Sequence, residues 1–409
     1  MERMAEVVPS SDDQRLQHFA SQSPWSHTEL FDHVGRDVDA LLGGGPDTCL
    51  IIDESAVAKK GDCSAGTARQ WDGRRGKVDN CQVGVFSALA CRDEVTLTGA
   101  RLFLPKAWIA DPARCKKAKI PPVEQVFRSK AQIALELVRH SRRQGRRFSW
   151  VGLDGGYGKE PWLLRALQAD GERFVADVHC DQRIYLEDPE PKVPLWEGGR
   201  GRPHTKRVAA VDPVRVDAFA RQQPAAAWTR VEIRDSTKGM LTVDVLHRRV
   251  WVWDGEEPHA HCWHLIVRRE IDAPTEIKYT LSNTTEDTPT QRLVFQQAQR
   301  YWVEHALRNA KSEAGLDHYQ LRSWLGWHHH MAMVTLAMLF LFEVRRENKE
   351  LLPLISCHDV VEVLKVTLPK RNVTLETIYE QLLERHRRRA AATASARRKQ
   401  ERERVHSEH

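Results

Sequence analysis

Apolar and polar positions follow two different periods along the first half of the chain. Apolar residues recur at helical spacing between residues 13 and 45, and this pattern ends at the turn Gly43-Gly44-Gly45-Pro46. Short apolar runs of the kind found in buried strands follow, interleaved with helical segments. The predicted order is strand (48–52), strand (81–90), strand (95–104), helix (123–142), strand (148–153), helix (161–167) and strand (173–178). This order predicts an α/β fold with a mixed sheet flanked by helices.

The pattern changes between residues 181 and 289. This segment begins with a proline- and glycine-rich stretch and continues with strand-like pieces at 228–234, 241–253, 262–268 and 276–281. Helical periodicity returns near Gln291 and continues, with breaks, to the C-terminus. We therefore predict a β-rich insertion within a core of two parts. The predicted boundaries are an N-terminal helical segment at 1–45, a core at 46–180 and 290–345, the insertion at 181–289, and a C-terminal helical region with a basic tail at 346–409.

Composition argues against a membrane or secreted protein. The longest apolar run, Met331–Val344, has 14 residues and contains Glu343, which is typical of a buried core helix rather than a membrane span. The first residues lack the apolar stretch of a signal peptide. The eight cysteines are scattered without a CxxC pair, so neither a disulfide framework nor a cysteine zinc site is indicated. We expect a cytoplasmic protein without a membrane partner.

The net charge of +6 is concentrated in one place. From Arg385 to the end there are nine Lys/Arg and three Asp/Glu, which leaves 53 basic and 53 acidic residues in the rest of the chain. Such a basic tail is a candidate arm for binding a polyanion. A solvated, disordered tail is an equally open interpretation.

Two carboxylates follow apolar strands. Asp53 comes directly after the run Thr48–Ile52, and Asp154 comes directly after Phe148–Leu153. If these strands are adjacent and parallel, both carboxylates lie at one rim of the sheet, where hard divalent cations can be held. Acids also follow strands simply because the chain turns there, so the pair alone is a weak signal.

A third carboxylate lies in the helix that begins near Gln291. Arg300, Glu304 and Lys311 are spaced four and seven residues apart, so they project from one helical face. An ordinary surface ion pair is the alternative. The apolar residues Val303, Ala306 and Leu307 tie the helix to a core and favour a position of Glu304 near the sheet rim.

A two-metal site explains these residue types. Hydrolysis or transesterification of a phosphodiester is an in-line displacement that two Mg²⁺ ions, roughly 3.5–4 Å apart, can assist at both oxygens. We expect Asp53 to bridge both ions and Asp154 and Glu304 to hold one each, with Mn²⁺ able to substitute. Arg300 and Lys311 are expected to contact DNA phosphates.

Other motifs give weaker signals. The consecutive residues His328, His329 and His330 point about 100° apart on a regular helix and cannot hold one metal ion together, so we expect a cluster at a helix start that faces the active site or DNA. A zinc set from residues 259–264 is split between the two faces of a strand.

The segment Gly155–Gly158 lacks the spacing of a dinucleotide-binding loop, and its glycines are expected to let a DNA backbone approach Asp154. Trp302 and Trp324 could stack on a displaced base, although core packing is the usual role of tryptophan.

Several blocks resemble one family. They are LIIDES (50–55), KKGDCSAGTARQWDGRRGKVDNCQVGVF (59–86), RLFLPKAWIAD (101–111), LDGGYG (153–158), WHLIVRRE (263–270) and YWVEHALRNAKSEAGLDHYQLRSWLGWHHH (301–330). With Arg300, Glu304 and Lys311 at the spacing of a YREK signature, the chain resembles the DDE insertion-sequence transposases, most closely their IS701-like branch.

The resemblance implies a fold, a site and partners. The fold is a ribonuclease-H-like core interrupted by a β-rich insertion before the helix that bears the catalytic glutamate. Asp53, Asp154 and Glu304 are implied as catalytic and metal-binding residues. The DNA-binding residues are taken to be Arg300, Tyr301, Trp302 and Lys311. The implied partners are terminal inverted repeats and target DNA, bound by a homodimer in a synaptic complex on the nucleoid.

Two departures from the family keep alternatives open. The signature tyrosine is expected at position 297, where this chain has Gln297, and Tyr301 lies at a different helical angle. Relatives usually carry a further N-terminal segment, so this chain could be a truncated copy. The sequence therefore predicts a transposase, with a non-transposing DNA-binding remnant as the alternative and a general metal-dependent nuclease of the same fold as a third possibility.

Overall fold

The computed structural model describes residues 2–73, 75–195, 204–236 and 239–407. The chain forms two compact units. The terminal unit combines Met1–Pro24 with Glu362–His409, and the central unit is Trp25–Val361.

Secondary structure begins with three helices and a run of strands. These are α1 (Glu2–Val7), α2 (Asp13–Ser21), α3 (His27–Leu42), β1 (Thr48–Ala58), β2 (Ala68–Asp72), β3 (Lys77–Cys91), β4 (Glu94–Leu102), α4 (Lys106–Ile109), α5 (Pro112–Lys117), α6 (Lys130–Arg143), β5 (Trp150–Leu153), α7 (Gly155–Gly158), α8 (Pro161–Ala169) and β6 (Phe174–Val178).

The second half contains four long strands followed by helices. These elements are β7 (Arg183–Ile184), β8 (Val214–Arg215), α9 (Val216–Arg221), β9 (Thr229–Ser236), β10 (Gly239–Val252), β11 (His261–Glu270), β12 (Ile277–Ser282), α10 (Thr290–Gln299), α11 (Tyr301–Ser312), α12 (Trp324–Glu347), α13 (Cys357–Thr367) and α14 (Leu375–Ser407).

One ten-stranded sheet organises the central unit. Its order is β2-β3-β1-β5-β6-β12-β11-β10-β9, and β4 also pairs with β3. Strands β1, β5 and β6 are mutually parallel, whereas the other pairings are antiparallel. Parallel neighbours require crossovers, which α6 and α8 supply on the way from β4 to β5 and from β5 to β6. The predicted α/β class, a mixed sheet flanked by helices, is confirmed.

The predicted β-rich segment joins this same sheet. Its four long strands, β9 to β12, lie within a few residues of the strands predicted from the sequence. Strand β12 pairs antiparallel with β6, with Thr280 opposite Asp177, and thereby extends the sheet beyond the parallel strands. The boundaries predicted at 45, 180, 289 and 345 remain predictions.

Two predicted helices differ from the observed ones: the first is broken in two, and the second starts later than predicted. The helical pattern from residue 13 is interrupted between α2 and α3, because Pro24 cannot continue a helix and restricts the residue before it. The helix predicted from Val123 begins instead at Lys130. Ser129 and Gln132 form a capping box there, in which each side chain accepts a hydrogen bond from the other residue's backbone N–H.

Helix α12 lies in the core, as its apolar sequence predicts. It is long and apolar enough to cross a membrane by length and composition, but 67% of its most apolar window is buried inside the fold. Met331, Leu339 and Phe342 are among its buried residues. A core helix meets the same compositional test, and the burial identifies α12 as one.

The terminal unit is held by ion pairs between its two chain segments. Arg385 on α14 donates hydrogen bonds of 2.9 and 2.7 Å to the two carboxylate oxygens of Glu6. Arg388 donates one of 2.6 Å to Asp13. Two of the basic residues in the predicted tail are therefore structural partners of α1 and α2.

Candidate active site

The strand register brings Asp53 and Asp154 to the same level. Strand β1 runs parallel to β5, with Ile52 opposite Leu153, so the next residues on the two strands are Asp53 and Asp154. Asp53 is 8% exposed, and β1 continues beyond it to Ala58 along β3. The two carboxylates therefore share one region at the end of β5, as the sequence predicts.

Asp154 begins the short helix α7. Its carboxylate accepts hydrogen bonds from the backbone N–H groups of Gly156 (2.9 Å) and Tyr157 (3.2 Å). Within this helix, Gly158 is required by packing, because a Cβ there would lie 1.9 Å from the carbonyl oxygen of Asp177 on β6. Gly158 therefore lets strand β6 approach helix α7 closely. The sequence alone predicts a different role for these glycines, the approach of a DNA backbone to Asp154.

Arg300 lies at the junction of α10 and α11, where the predicted continuous helix is briefly interrupted. Its guanidinium is surrounded by carboxylates. Nε donates to Asp177 at 3.0 Å, Nη2 pairs with Glu304 at 2.8 Å, and Nη1 lies 3.9 Å from Asp53. These carboxylates raise the pKa of Arg300 despite its burial. Arg300 therefore links the helix that carries Glu304 to the strands that carry the aspartates.

A cleft of about 1270 Å³ opens over these residues. Five of the seven predicted site residues line it, namely Asp53, Asp154, Arg300, Glu304 and Lys311. The cleft also contains basic residues that were not predicted from the sequence: Lys130, Lys159 and Arg308. Lys130 pairs with Glu54 at 2.8 Å.

Tyr301 and Trp302 lie elsewhere. The guanidinium of Arg234 stands over both rings, 4.8 Å from the centroid of Tyr301 and 4.4 Å from that of Trp302. Neither ring is among the residues that line the carboxylate cleft. Their predicted contact with DNA stays a prediction.

Burial and like charge make Asp53 unusual. Its enclosed position, followed by the nearby charge of Asp154, raises the pKa of Asp53 to about 7, although Arg300 opposes this shift. Neighbouring carboxylates are costly to ionise together without a cation. A cation bound in the cleft would therefore favour the ionised form of Asp53.

A buried chain of hydrogen bonds fixes Arg300 from behind. Gln297 donates to the hydroxyl of Thr280, which donates to one oxygen of Asp177, while the other oxygen accepts from Arg300. Gln297 is 4% exposed, so the residue at the position of the signature tyrosine faces the protein interior. Asp177 was not predicted from the sequence, although it too is an acid near the end of a strand.

The histidines have structural roles. His328, His329 and His330 hydrogen-bond to the backbone carbonyls of Trp324, Trp25 and Gly315, which corrects the expectation that they face the active site or DNA. His264 bonds to the carbonyl of Thr285 and to His247. Across residues 2–73, 75–195, 204–236 and 239–407, no group of three His, Cys, Asp or Glu side chains lies close enough to hold a metal ion as it stands.

A carboxylate cleft at the end of parallel strands, bordered by lysines and arginines, is the kind of site that acts on phosphodiesters. Sequence similarity to known proteins agrees with a site of this kind. The family model described as DDE superfamily endonuclease matches residues 1–240, more than half of the 409 residues, and the chain belongs to this family. The match includes Asp53 and Asp154 and ends before Glu304.

Individual relatives are more distant. A probable transposase for insertion sequence element IS701 from Microchaete diplosiphon is 29% identical over 156 residues, which cover 38% of each chain. The matched region thus spans well under half of that relative. A cryo-EM structure of the piggyBac transposase synaptic complex with hairpin DNA is 12% identical, with a TM-score of 0.39, over 87% of this chain and 59% of the other.

Proposed function

We propose that this chain is a transposase that cuts DNA at the ends of its own element and joins those ends to target DNA. The observation that carries the proposal is the position of Asp53 and Asp154 at one level of adjacent parallel strands, with Glu304 facing the same cleft. Membership of the DDE endonucleases and the similarity to an insertion-sequence transposase support it.

The residues fit divalent metal ions by chemistry and charge. DDE endonucleases generally use divalent metals, and carboxylate oxygens are the ligands that Mg²⁺ and Mn²⁺ prefer. Burial and the charge of Asp154 raise the pKa of Asp53, and a bound cation would oppose both effects by stabilising the ionised carboxylate. Asp53, Asp154 and Glu304 would hold two such ions, although Glu304 pairs with Arg300 in this structure. The chemistry that bound ions supply is activation of the attacking oxygen and stabilisation of the leaving oxygen.

The protein's own side chains have separate tasks. Lys159, Arg308 and Lys311 border the cleft and provide positive charge for the phosphates of a bound strand. Arg300 holds Glu304 and Asp53 in a fixed relation to Asp177. We propose that two copies act together on the two element ends, as the sequence resemblance implies.

The pairing of Glu304 with Arg300 favours one alternative, a DNA-binding remnant that no longer recombines. Nicking of a supercoiled plasmid that carries the element ends, in Mg²⁺ or Mn²⁺, distinguishes the two. A remnant binds this DNA without nicking it. A general nuclease of the same fold nicks DNA without inverted repeats equally well and does not join ends to a target.

The Glu304→Ala variant tests the third carboxylate. We expect it to abolish metal-dependent nicking while DNA binding, measured by gel shift, survives, because the missing carboxylate acts on the metal and not on the DNA backbone. Glu350→Gln, an exposed acid beyond the end of α12, is the matched control and should nick at the wild-type rate. Nicking retained by Glu304→Ala would remove Glu304 from the proposed site.

A further inference from the structure

A second, smaller pocket lies beside the carboxylate cleft. Its volume is about 150 Å³, and it shares Arg300 and Glu304 with the cleft. Three more cations, from three strands of the β-rich segment, line it: Arg234 on β9, Arg268 on β11 and Lys278 on β12. The sheet therefore gathers positive side chains at one point next to the proposed active site.

Two of these cations directly oppose each other. In the antiparallel pairing of β11 with β12, Arg268 stands opposite Lys278. Like charges at directly opposed positions destabilise a sheet. Glu270 offsets part of this repulsion through a 2.7 Å hydrogen bond from Nη2 of Arg268. Partial burial, followed by the charges of Arg268 and Arg300, lowers the pKa of Lys278.

Arg234 is held by aromatic rings and has no carboxylate at ion-pair distance within the described residues. Its guanidinium lies over the rings of Tyr301 and Trp302, and such cation–π contacts stabilise the cation without using its N–H donors. The Nε groups of Arg234 and Arg268 are buried donors for which the described part of the chain supplies no acceptor. Leaving a buried donor without an acceptor is unfavourable, and more so when the donor is charged.

The acids that face this pocket are already engaged. Asp177 and Glu304 line it, but both are hydrogen-bonded or ion-paired to Arg300. The remaining wall includes Leu241 and Ala298, which are apolar. The pocket thus presents more positive charge and more hydrogen-bond donors than the neighbouring carboxylates satisfy. An anion with several oxygen atoms would balance this charge and accept hydrogen bonds from these donors.

We propose that Arg234, Arg268 and Lys278 form a phosphate-binding subsite that holds a DNA backbone phosphodiester next to the one being cleaved. Arginine presents a planar fork that matches phosphate oxygens, and lysine adds a point charge. Because the pocket adjoins Glu304, a strand whose reacting phosphate lies in the cleft can place a nearby phosphate here. This inference rests on the proposed function, since it assumes that DNA occupies the cleft.

The test is the salt dependence of DNA binding by the full-length protein. For a labelled duplex carrying the element end, each phosphate contact contributes about 0.9 to the slope of log K against log salt concentration. We expect Lys278→Gln to lower that slope by about 0.9 and to weaken binding similarly for all sequences. Arg230→Gln is the control, because Arg230 is a cation of the same β-rich segment that does not line the pocket and pairs with Asp244 at 3.2 Å. Its slope should equal that of the wild type, and an unchanged slope in Lys278→Gln overturns the subsite.

Two further measurements exclude misfolding and a different anion. Lys278→Gln removes a like-charge repulsion, so its Tm without DNA should equal or exceed that of the wild type. A lower Tm together with weaker binding assigns Lys278 a structural role and overturns the subsite.

Inorganic phosphate should raise the Tm of the wild type more than that of Lys278→Gln. If phosphate does so while the DNA slopes are equal, the pocket binds free phosphate and not the DNA backbone, which also overturns the subsite. The binding slope is measured without cleavage, so a failure to nick refutes the proposed function and leaves this result unaffected.

Discussion

Arg300 and Asp177 illustrate how single residues organise the cleft. Arg300 reaches three carboxylates, and one of them, Asp177, also accepts a hydrogen bond from the hydroxyl of Thr280. Asp177 is a positioning residue, because it acts on Glu304 and Asp53 only through Arg300. Groups that orient metal-binding side chains in this way typically contribute 10–100-fold to metal affinity or activity, as an order of magnitude.

The Asp177→Asn variant tests this role. We expect metal-dependent nicking to slow by roughly 10–100-fold while the affinity for DNA changes little, because Asp177 does not bind a phosphate. The free energy of unfolding should fall by about 1.5–3 kcal/mol, the range for hydrogen bonds to charged groups. Asp170→Asn, which removes only a surface ion pair with Arg139, should cost less than about 1 kcal/mol and leave nicking intact. Equal nicking by Asp177→Asn and wild type would contradict the positioning role.

At the scale of elements, the packing of α3 against α12 depends on neutral histidines. His27 on α3 lies 4.8 Å from His328 on α12, measured between ring centroids, and Trp25 stacks on His329 at 3.7 Å. Burial, followed by the charge of His329, lowers the pKa of His27 to about 4. Burial also places the pKa of His328 well below its ordinary value.

This packing predicts a decrease of stability in acid. The unfolded chain binds a proton at His27 near pH 6.5, whereas the folded chain does so only near pH 4, so the free energy of unfolding should decrease as the pH falls between these values. The lowered pKa of His328 acts in the same direction. The decrease is at most about 1.4 kcal/mol per pH unit for each histidine, and smaller for the partly exposed His27.

Denaturant unfolding at several pH values provides the measurement. The free energy of unfolding of His27→Gln should depend less steeply on pH than that of the wild type, because the variant lacks one histidine that takes up a proton on unfolding. His33→Gln is the control, since His33 is exposed beside Asp37. A wild-type stability that is constant from pH 6.5 to 4 would show that these histidines are not held neutral by the fold.

At the scale of the whole molecule, the excess positive charge lies on α14. Arg385 and Arg388 are engaged by Glu6 and Asp13, whereas Arg397 and Arg398 are exposed further along the same helix. The basic tail is therefore helical as far as Ser407, which differs from the disordered alternative. The exposed side chains of Arg397 and Arg398 are available to a polyanion.

Removal of residues 390–409 tests the tail and keeps both structural ion pairs. We expect the slope of log K against log salt for DNA binding to decrease, by about 0.9 for each phosphate that the tail neutralises. A full-length variant with Arg397 and Arg398 replaced by Gln separates charge from helix length and should show a smaller decrease. An unchanged slope in the truncated protein would mean that the tail is a solvated helix without a role in DNA binding.

Local patterns explain which parts of the site were predictable. Asp53 and Asp154 follow apolar runs whose length and composition indicate buried strands, and Glu304 lies four residues after Arg300 on a helical pattern. These are short-range properties of the chain, so periodicity alone reveals them. The helix predicted from Val123 begins later, at Lys130, because the local capping box at Ser129 is stronger than the apolar periodicity before it.

The sequence by itself determined the α/β class, the apolar runs that lead to Asp53 and Asp154, and the helical spacing of Glu304 and Lys311, because each depends on neighbours within a few residues. The structure extends β1 beyond Asp53 to Ala58. Only the tertiary structure decided that Asp177 anchors Arg300 and that Arg268 faces Lys278. The first contact joins residues 123 positions apart in the chain. The second depends on the register of two consecutive strands. A shift of one residue in a register turns every side chain of that strand to the other face of the sheet. The apolar pattern selects the face that is buried, but the identity of the residue opposite each position depends on the assembled sheet.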